Sequence, residues 1–255
     1  PSVGATENLI MAAVLADGET VIENAAAEPE ITDLADFLNK QGARISGTGS
    51  DTITVNGVHS LTPCSHAVIS DRIEAGTFMT AISITGGKGE ILNVNPVHVK
   101  PVTAKLTEMG AIVTERENSI LVDAQRPLSS ANIKTLPFPG FPTDMQAQFS
   151  ALLCETEGTG IIVETVFENR FLHIGELNRM GANIRIDGRS SVIEGSKKLS
   201  GSKVTAFDLR GGASLVLAGL CAAGETEISG VEHLERGYEN LCGKLSGLGA
   251  NIFSE

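Results

Sequence analysis

The sequence predicts an α/β protein whose helices are enclosed and whose sheets lie outside them, and two observations carry that prediction. The first is an internal repeat. Leu38 to Ile45, Leu106 to Val113, Leu177 to Ile184 and Leu245 to Ile252 each begin with Leu, carry Gly-Ala at the fifth and sixth positions, and recur about every 70 residues. Each reads as helix, glycine stop, strand: glycine suits the left-handed residue that ends a helix, and the residues after it suit extended chain. Between these phrases runs a second unit of apolar helix, glycine turn and strand, as in Ala12 to Asn24 around Gly18. Its counterparts end at Leu92-Asn93, Glu164-Thr165 and Ile228-Ser229. One repeat is therefore helix, strand, helix, strand, strand.

The second observation is the contrast between the two helices of a repeat. Ala213 to Ala223 carries no charge on any face, which means burial all round. Ile31 to Lys40 spaces its apolar residues helically with Asp33 and Asp36 between them, the pattern of a helix half in solvent. Three such repeats around a pseudo-threefold axis make a closed unit, and four leave one over. We place the boundary in Ala67 to Ser70, giving parts 1–69 and 70–255. The first repeat then belongs to a domain whose other repeats are absent, and the start at Pro1 without a methionine suggests a piece of a longer protein.

In chain order, Ser2-Val3-Gly4-Ala5-Thr6 opens the first helix with small residues and exposed backbone N–H groups. That arrangement holds a phosphate or another anion, or is simply a glycine-containing helix start. Glu28 and Glu30 flank Pro29 before the second helix, where acids favour the positive end of the helix dipole. Arg72, just after the boundary, either reaches into an interdomain cleft or forms a solvated ion pair with Asp71. In Phe138 to Gln148 two prolines, Pro139 and Pro142, forbid helix, after which Thr143 or Asp144 offers an N-cap oxygen to the apolar run Gln148 to Cys154. An outward carboxylate at a helix mouth can act as a base, although on the local residues a cap is the plainer reading of Asp144. Arg170, Arg210 and Arg236 fall at loops or helix starts in different parts of the repeat cycle, with Asp208 two residues before Arg210. Each arginine alone reads as a solvated residue; together they suit bidentate capture of carboxylate or phosphate. The Met and Phe residues read as core.

Composition narrows the function. An apolar content of 42% supports a substantial core, and a net charge of −12 with no block of Lys or Arg argues against nucleic acid or an anionic membrane surface as partner. Cys64, Cys154, Cys221 and Cys242 show neither metal-ligand spacing nor a secreted disulfide framework, which fits reduced thiols in the cytoplasm. His59, His66, His98, His173 and His233 are scattered and take no assigned role, so no metal site is expected. No apolar run reaches bilayer length.

These residues carry a resemblance. Pro1 to Thr6, Glu28-Pro29-Glu30, Asp71 to Thr77, Phe141 to Gln148, Phe167 to Phe171, Asp208-Leu209-Arg210 and Arg236 to Glu239 stand in the order of the UDP-N-acetylglucosamine 1-carboxyvinyltransferase family. The whole chain resembles the C-terminal part of these enolpyruvyl transferases, which begin peptidoglycan synthesis. The resemblance implies an inside-out α/β barrel of three repeats for 70–255, with 1–69 as the last repeat of a second, sugar-nucleotide-side barrel. It implies transfer of the enolpyruvyl group of phosphoenolpyruvate to the 3-hydroxyl of UDP-N-acetylglucosamine with release of phosphate, using no cofactor and no metal. Ser2, Val3 and Gly4 would bind the uridine diphosphate, and the Val166 backbone would touch the acetylated sugar. Arg170, Arg210 and Arg236 would clamp the anionic groups, Arg72 would face the cleft, Asp144 would be the base, and Asp208 would orient the Arg210 guanidinium. The family's Lys-Asn pair and acid-bearing loop belong to a missing N-terminal segment, a required partner, and none of the four cysteines here occupies that loop motif; the chain alone is expected to be inactive. Two alternatives stay open: a sibling transferase acting on shikimate 3-phosphate, and a non-catalytic repeat scaffold, which leaves Asp144 and three arginines unexplained.

Overall fold

The computed structural model describes residues 1–195 and 198–254, in two compact units. The first comprises Pro1–Ser70 with Pro137–Gly140. It runs α1 (Val3–Val14), β1 (Glu19–Glu23), α2 (Pro29–Lys40), β2 (Arg44–Ser46) and β3 (Thr52–Asn56), the order expected of one repeat. The strands form one antiparallel sheet in the order β1-β3-β2. Pro29 starts α2 where its missing N–H costs nothing, and Ile31, Ala35 and Leu38 turn inward to pack with Ile10, Val14, Ile53 and Val55. Leu9 and Met11 of α1, and Leu15 just after it, are exposed. Residues 137–140 group with this unit, and within it the Phe138 amide donates to Glu28 Oε1 at 3.4 Å.

The second unit comprises Asp71–Leu136 with Phe141–Glu255. It contains α3 (Arg72–Ile84), β4 (Lys88–Leu92), α4 (Lys100–Glu108), β5 (Ile112–Glu115), β6 (Ser119–Asp123), β7 (Ile133–Lys134), α5 (Gln146–Cys154), β8 (Thr159–Val163), α6 (Leu172–Arg179), β9 (Asn183–Asp187), β10 (Ser190–Glu194), β11 (Lys203–Thr205), α7 (Leu209–Cys221), β12 (Glu227–Ser229) and α8 (Leu241–Gly247). The helices α3, α5 and α7, whose charged residues are confined to their first turns, pack pairwise at the centre, and the strands form separate sheets ordered β4-β6-β5, β7-β8-β10-β9 and β11-β12. Helices inside and sheets outside is the predicted class, built here from separate sheets rather than a continuous ring of strands.

Burial all round obliges each central helix to satisfy its own hydroxyls. Thr77, Thr80 and Ser83 of α3 and Ser150 of α5 donate to carbonyls four residues back at 2.8 to 3.0 Å. Gly76 lets α3 approach the residue before α5, since a Cβ there would stand 3.0 Å from Met145 Sδ. Phe149 is wholly buried, edge-on to Phe141 at 4.9 Å between ring centres, and burying such a side chain contributes on the order of 2 to 3 kcal/mol. Gly42, Gly110, Gly181 and Gly249 all have positive φ, between 95° and 107°, as the helix-glycine-strand reading requires. The fourth phrase departs from expectation: residues 250–254 form no strand. In the other three phrases the strand pairs with the antiparallel strand that follows it, β3, β6 or β10, and among the described residues 250–254 pair with no strand.

Candidate active site

The chemistry gathers at one end of the central helices of the second unit. Pro142 holds extended backbone, Thr143–Met145 form a short 3-10 turn, and α5 begins at Gln146. Neither Thr143 nor Asp144 caps that helix, so the capping expectation is corrected. The Asp144 carboxylate is instead taken by two guanidinium groups. Arg170 Nη1 donates to Oδ1 at 2.7 Å, and Arg210 donates to Oδ2 through Nη2 at 3.0 Å and Nε at 3.3 Å. Burial works to raise the Asp144 pKa, but the charges and hydrogen bonds of Arg170 and Arg210 outweigh it and hold the carboxyl below its ordinary value.

Each arginine is in turn supported. Arg170 Nη1 also donates to Thr143 Oγ1 at 2.8 Å, and its guanidinium lies 4.8 Å from the centre of the Phe167 ring. Arg210 lies 5.5 Å from the Tyr238 ring, and the Tyr238 hydroxyl meets Thr77 Oγ1 at 2.9 Å and Gln148 Nε2 at 3.3 Å. Gln148 Nε2 donates as well to the Asp144 carbonyl at 2.8 Å, so ring and carboxylate are tied to one frame. Asp208 caps α7: its Oδ1 accepts from the amides of Arg210 at 2.9 Å and Gly211 at 2.8 Å. It therefore positions Arg210 through the backbone, a correction to the expected contact with the guanidinium.

Asp144, Arg170, Asp208, Arg210 and Arg236 all line one cavity of about 350 Å³, together with Phe207, Leu209 and His233. Arg236 is exposed at the end of a 3-10 segment, Val231–Arg236. Arg210 Nη1 is buried and makes no geometrically defined hydrogen bond; burial works to lower the Arg210 pKa, but Tyr238 and Asp144 outweigh it and hold the guanidinium charged. Behind the cavity wall His173 is buried, its Nε2 unpartnered, and burial lowers its pKa to about 4, so the imidazole is neutral. The arrangement is a cation-lined pocket with one carboxylate inside it, suited to a small dianion and to proton abstraction beside it.

Not every expected site residue joins it. Ser2, Val3 and Gly4 lie in the first unit, where Ser2 Oγ caps α1 by accepting from the Ala5 amide at 3.3 Å. Arg72 is the first residue of α3, behind Asp71, which caps that helix by accepting from Ile73 and Glu74; Arg72 is not among the residues lining the cavity. Val166 also stands off the lining, its N–H bonded to Glu164 Oε1 at 2.8 Å. Sequence reasoning overlooked Glu164, Thr143 as an arginine partner, Gln148, Tyr238 and His233. It also read all Phe as core, whereas Phe167 and Phe207 are 50% and 53% exposed beside the arginines. Among the described residues no group of three or more His, Cys, Asp or Glu is placed to hold a metal, and no helix is long and apolar enough to cross a membrane.

A sequence model of the family described as EPSP synthase (3-phosphoshikimate 1-carboxyvinyltransferase) matches residues 1–245. The chain belongs to this family. Among relatives of this EPSP synthase family member, a Caldanaerobacter subterraneus subsp. tengcongensis protein named UDP-N-acetylglucosamine 1-carboxyvinyltransferase 1 is 58% identical over 253 residues, 99% of this chain and 61% of that protein. A Clostridium tetani protein named UDP-N-acetylglucosamine 1-carboxyvinyltransferase 2 is 57% identical over the same shares. The chain thus spans about three-fifths of the length of these relatives. Among solved structures, the enolpyruvyl transferase NikO from Streptomyces tendae superposes with a TM-score of 0.89 at 28% identity, over 98% of this chain and 60% of its own. An EPSP synthase from Acinetobacter baumannii shares the fold, with a TM-score of 0.78 at 22% identity over 100% of this chain and 62% of its own.

Proposed function

We propose that this chain is the C-terminal part of an enzyme that transfers the enolpyruvyl group of phosphoenolpyruvate to the 3-hydroxyl of UDP-N-acetylglucosamine, releasing phosphate. This is the first committed step of peptidoglycan synthesis, carried out in the cytoplasm of a growing and dividing cell. The observation that carries the proposal is the Asp144 carboxylate held between Arg170 and Arg210 in a cavity that Arg236 also lines. The names of relatives more than half identical to this chain favour UDP-N-acetylglucosamine over shikimate 3-phosphate as acceptor.

In the reaction, Asp144 takes the proton of the sugar 3-hydroxyl as that oxygen attacks C2 of phosphoenolpyruvate, and a general acid protonates C3. The resulting tetrahedral adduct carries both the carboxylate and the phosphate, and loss of phosphate together with a proton from the C3 methyl group restores the double bond and leaves the enol ether. Arginine forks suit both anionic groups and stay charged at every working pH. While Arg170 and Arg210 are spent on Asp144 its carboxyl is a weak base; an incoming dianion competes for the same donors and lets its pKa climb back, so the base is released as substrate arrives. Ser2, Val3 and Gly4 would bind the uridine diphosphate, the Val166 backbone would touch the acetylated sugar, Arg72 would be a substrate-binding residue, and the acid would come from the segment that precedes the matched region in the relatives.

The test is phosphate release from phosphoenolpyruvate with UDP-N-acetylglucosamine or shikimate 3-phosphate as acceptor, using the 255-residue chain with and without that preceding segment. Release with the sugar nucleotide, only when the segment is present, is expected. Release with shikimate 3-phosphate instead, or equal release by the chain alone, refutes the assignment.

A further inference from the structure

Glu164 has no exposed surface, yet its carboxylate accepts four hydrogen bonds, one of them from Thr143, which also meets Arg170 of the cavity. Oε2 accepts from Thr143 Oγ1 at 2.8 Å. Oε1 accepts from Thr135 Oγ1 at 2.8 Å, from the Val166 amide at 2.8 Å and from the Phe167 amide at 3.1 Å. A buried carboxylate is tolerated only where its lone pairs are filled, and four donors fill them. Arg189 holds the same loop by its carbonyls, donating from Nε to Glu164 O and from Nη2 to Phe167 O, each at 3.0 Å.

The bond to Thr143 has a direction. A carboxylate only accepts, so the Thr143 proton points at Glu164 and a hydroxyl lone pair is left for Arg170 Nη1, which donates to it at 2.8 Å and to Asp144 at 2.7 Å. We infer that Glu164 is a positioning residue of the enolpyruvyl-transfer site, setting the place of the Arg170 guanidinium through the Thr143 hydroxyl and the turn that carries Val166 and Phe167. This deepens the function proposed above and rests on it. Glu164 touches neither the cavity nor the reacting atoms; it acts by removing freedom from a clamp, and a pre-set clamp binds its anion with less ordering cost.

The test is calorimetric titration of phosphoenolpyruvate into the 255-residue chain and its variants Glu164→Gln, Thr143→Val, Thr143→Ser and the double variant Glu164→Gln/Thr143→Val, with each fold checked by circular dichroism and thermal unfolding. Glu164→Gln keeps shape and size but turns an acceptor into a donor facing Thr143. Each of Glu164→Gln and Thr143→Val is expected to weaken binding about five- to tenfold, the net worth of one ordinary hydrogen bond. The double variant should weaken it no more than either alone, because both cut the same chain of contacts, and Thr143→Ser should recover what Thr143→Val loses. Additive losses, or wild-type affinity in a folded Glu164→Gln chain, overturn the inference and leave the function standing. The same titrations are run with the preceding segment supplied, and no binding by the wild-type chain even then overturns the function and the inference together.

Discussion

Arg210 grips Asp144 edge-on, with Nη2 at 3.0 Å and Nε at 3.3 Å from the same carboxylate oxygen, while the other oxygen belongs to Arg170. The side chains of Arg170 and Asp144 are 23% and 35% exposed, so solvent screens part of this attraction, and the contact serves placement more than stability. Placement is what the proposed transfer asks of it.

Replacing Asp144 by Asn in the protein extended with the preceding segment should lower turnover by a factor on the order of 100 to 10,000, the usual worth of a general base. The fold should survive, since Asp144 caps no helix. Steady-state phosphate release checks this, and turnover within about threefold of wild type would remove Asp144 from the base role.

Arg236→Lys keeps the charge at the exposed rim of the cavity and loses the planar fork. The KM for phosphoenolpyruvate should rise more than the KM for the sugar nucleotide. Equal rises would place Arg236 outside the phosphoenolpyruvate clamp.

Tyr238→Phe removes a hydroxyl shared with Thr77 and Gln148 but keeps the ring beside Arg210. The urea midpoint should fall by the equivalent of about 1 to 2 kcal/mol, while phosphoenolpyruvate affinity stays within about twofold. A large affinity loss at unchanged stability would mean that the hydroxyl, not the ring, supports the clamp.

His173 gives a pH signature of stability. Its folded pKa of about 4 lies below its ordinary 6.5, so between those values the unfolded chain binds a proton that the folded chain refuses. Its contribution is therefore intact above about pH 6.5 and is lost as pH falls toward 4, by up to about 1.4 kcal/mol per pH unit. Urea unfolding across that window should show a shallower pH dependence in His173→Gln than in the wild type; identical slopes would show that the wild-type imidazole is not held neutral.

What the sequence determined by itself is whatever depends on near neighbours. The four glycine stops, the inward face of α2 and the charge-free run that begins at Ala213 within α7 were legible because helix termination and burial follow from spacing along a few turns of one segment. Asp208 before Arg210 was legible as a pair for the same reason, although its action on the backbone was not. Tertiary structure alone decided that Asp144 is clamped rather than capping, since its partners stand 26 and 66 residues away. It alone turned Phe167 and Phe207 outward and placed Glu164, an ordinary strand-end acid in the sequence, under the arginine loop. An ion pair between distant loops depends on where separate repeats bring their ends, and that is a property of how the central helices pack, not of any local run of residues.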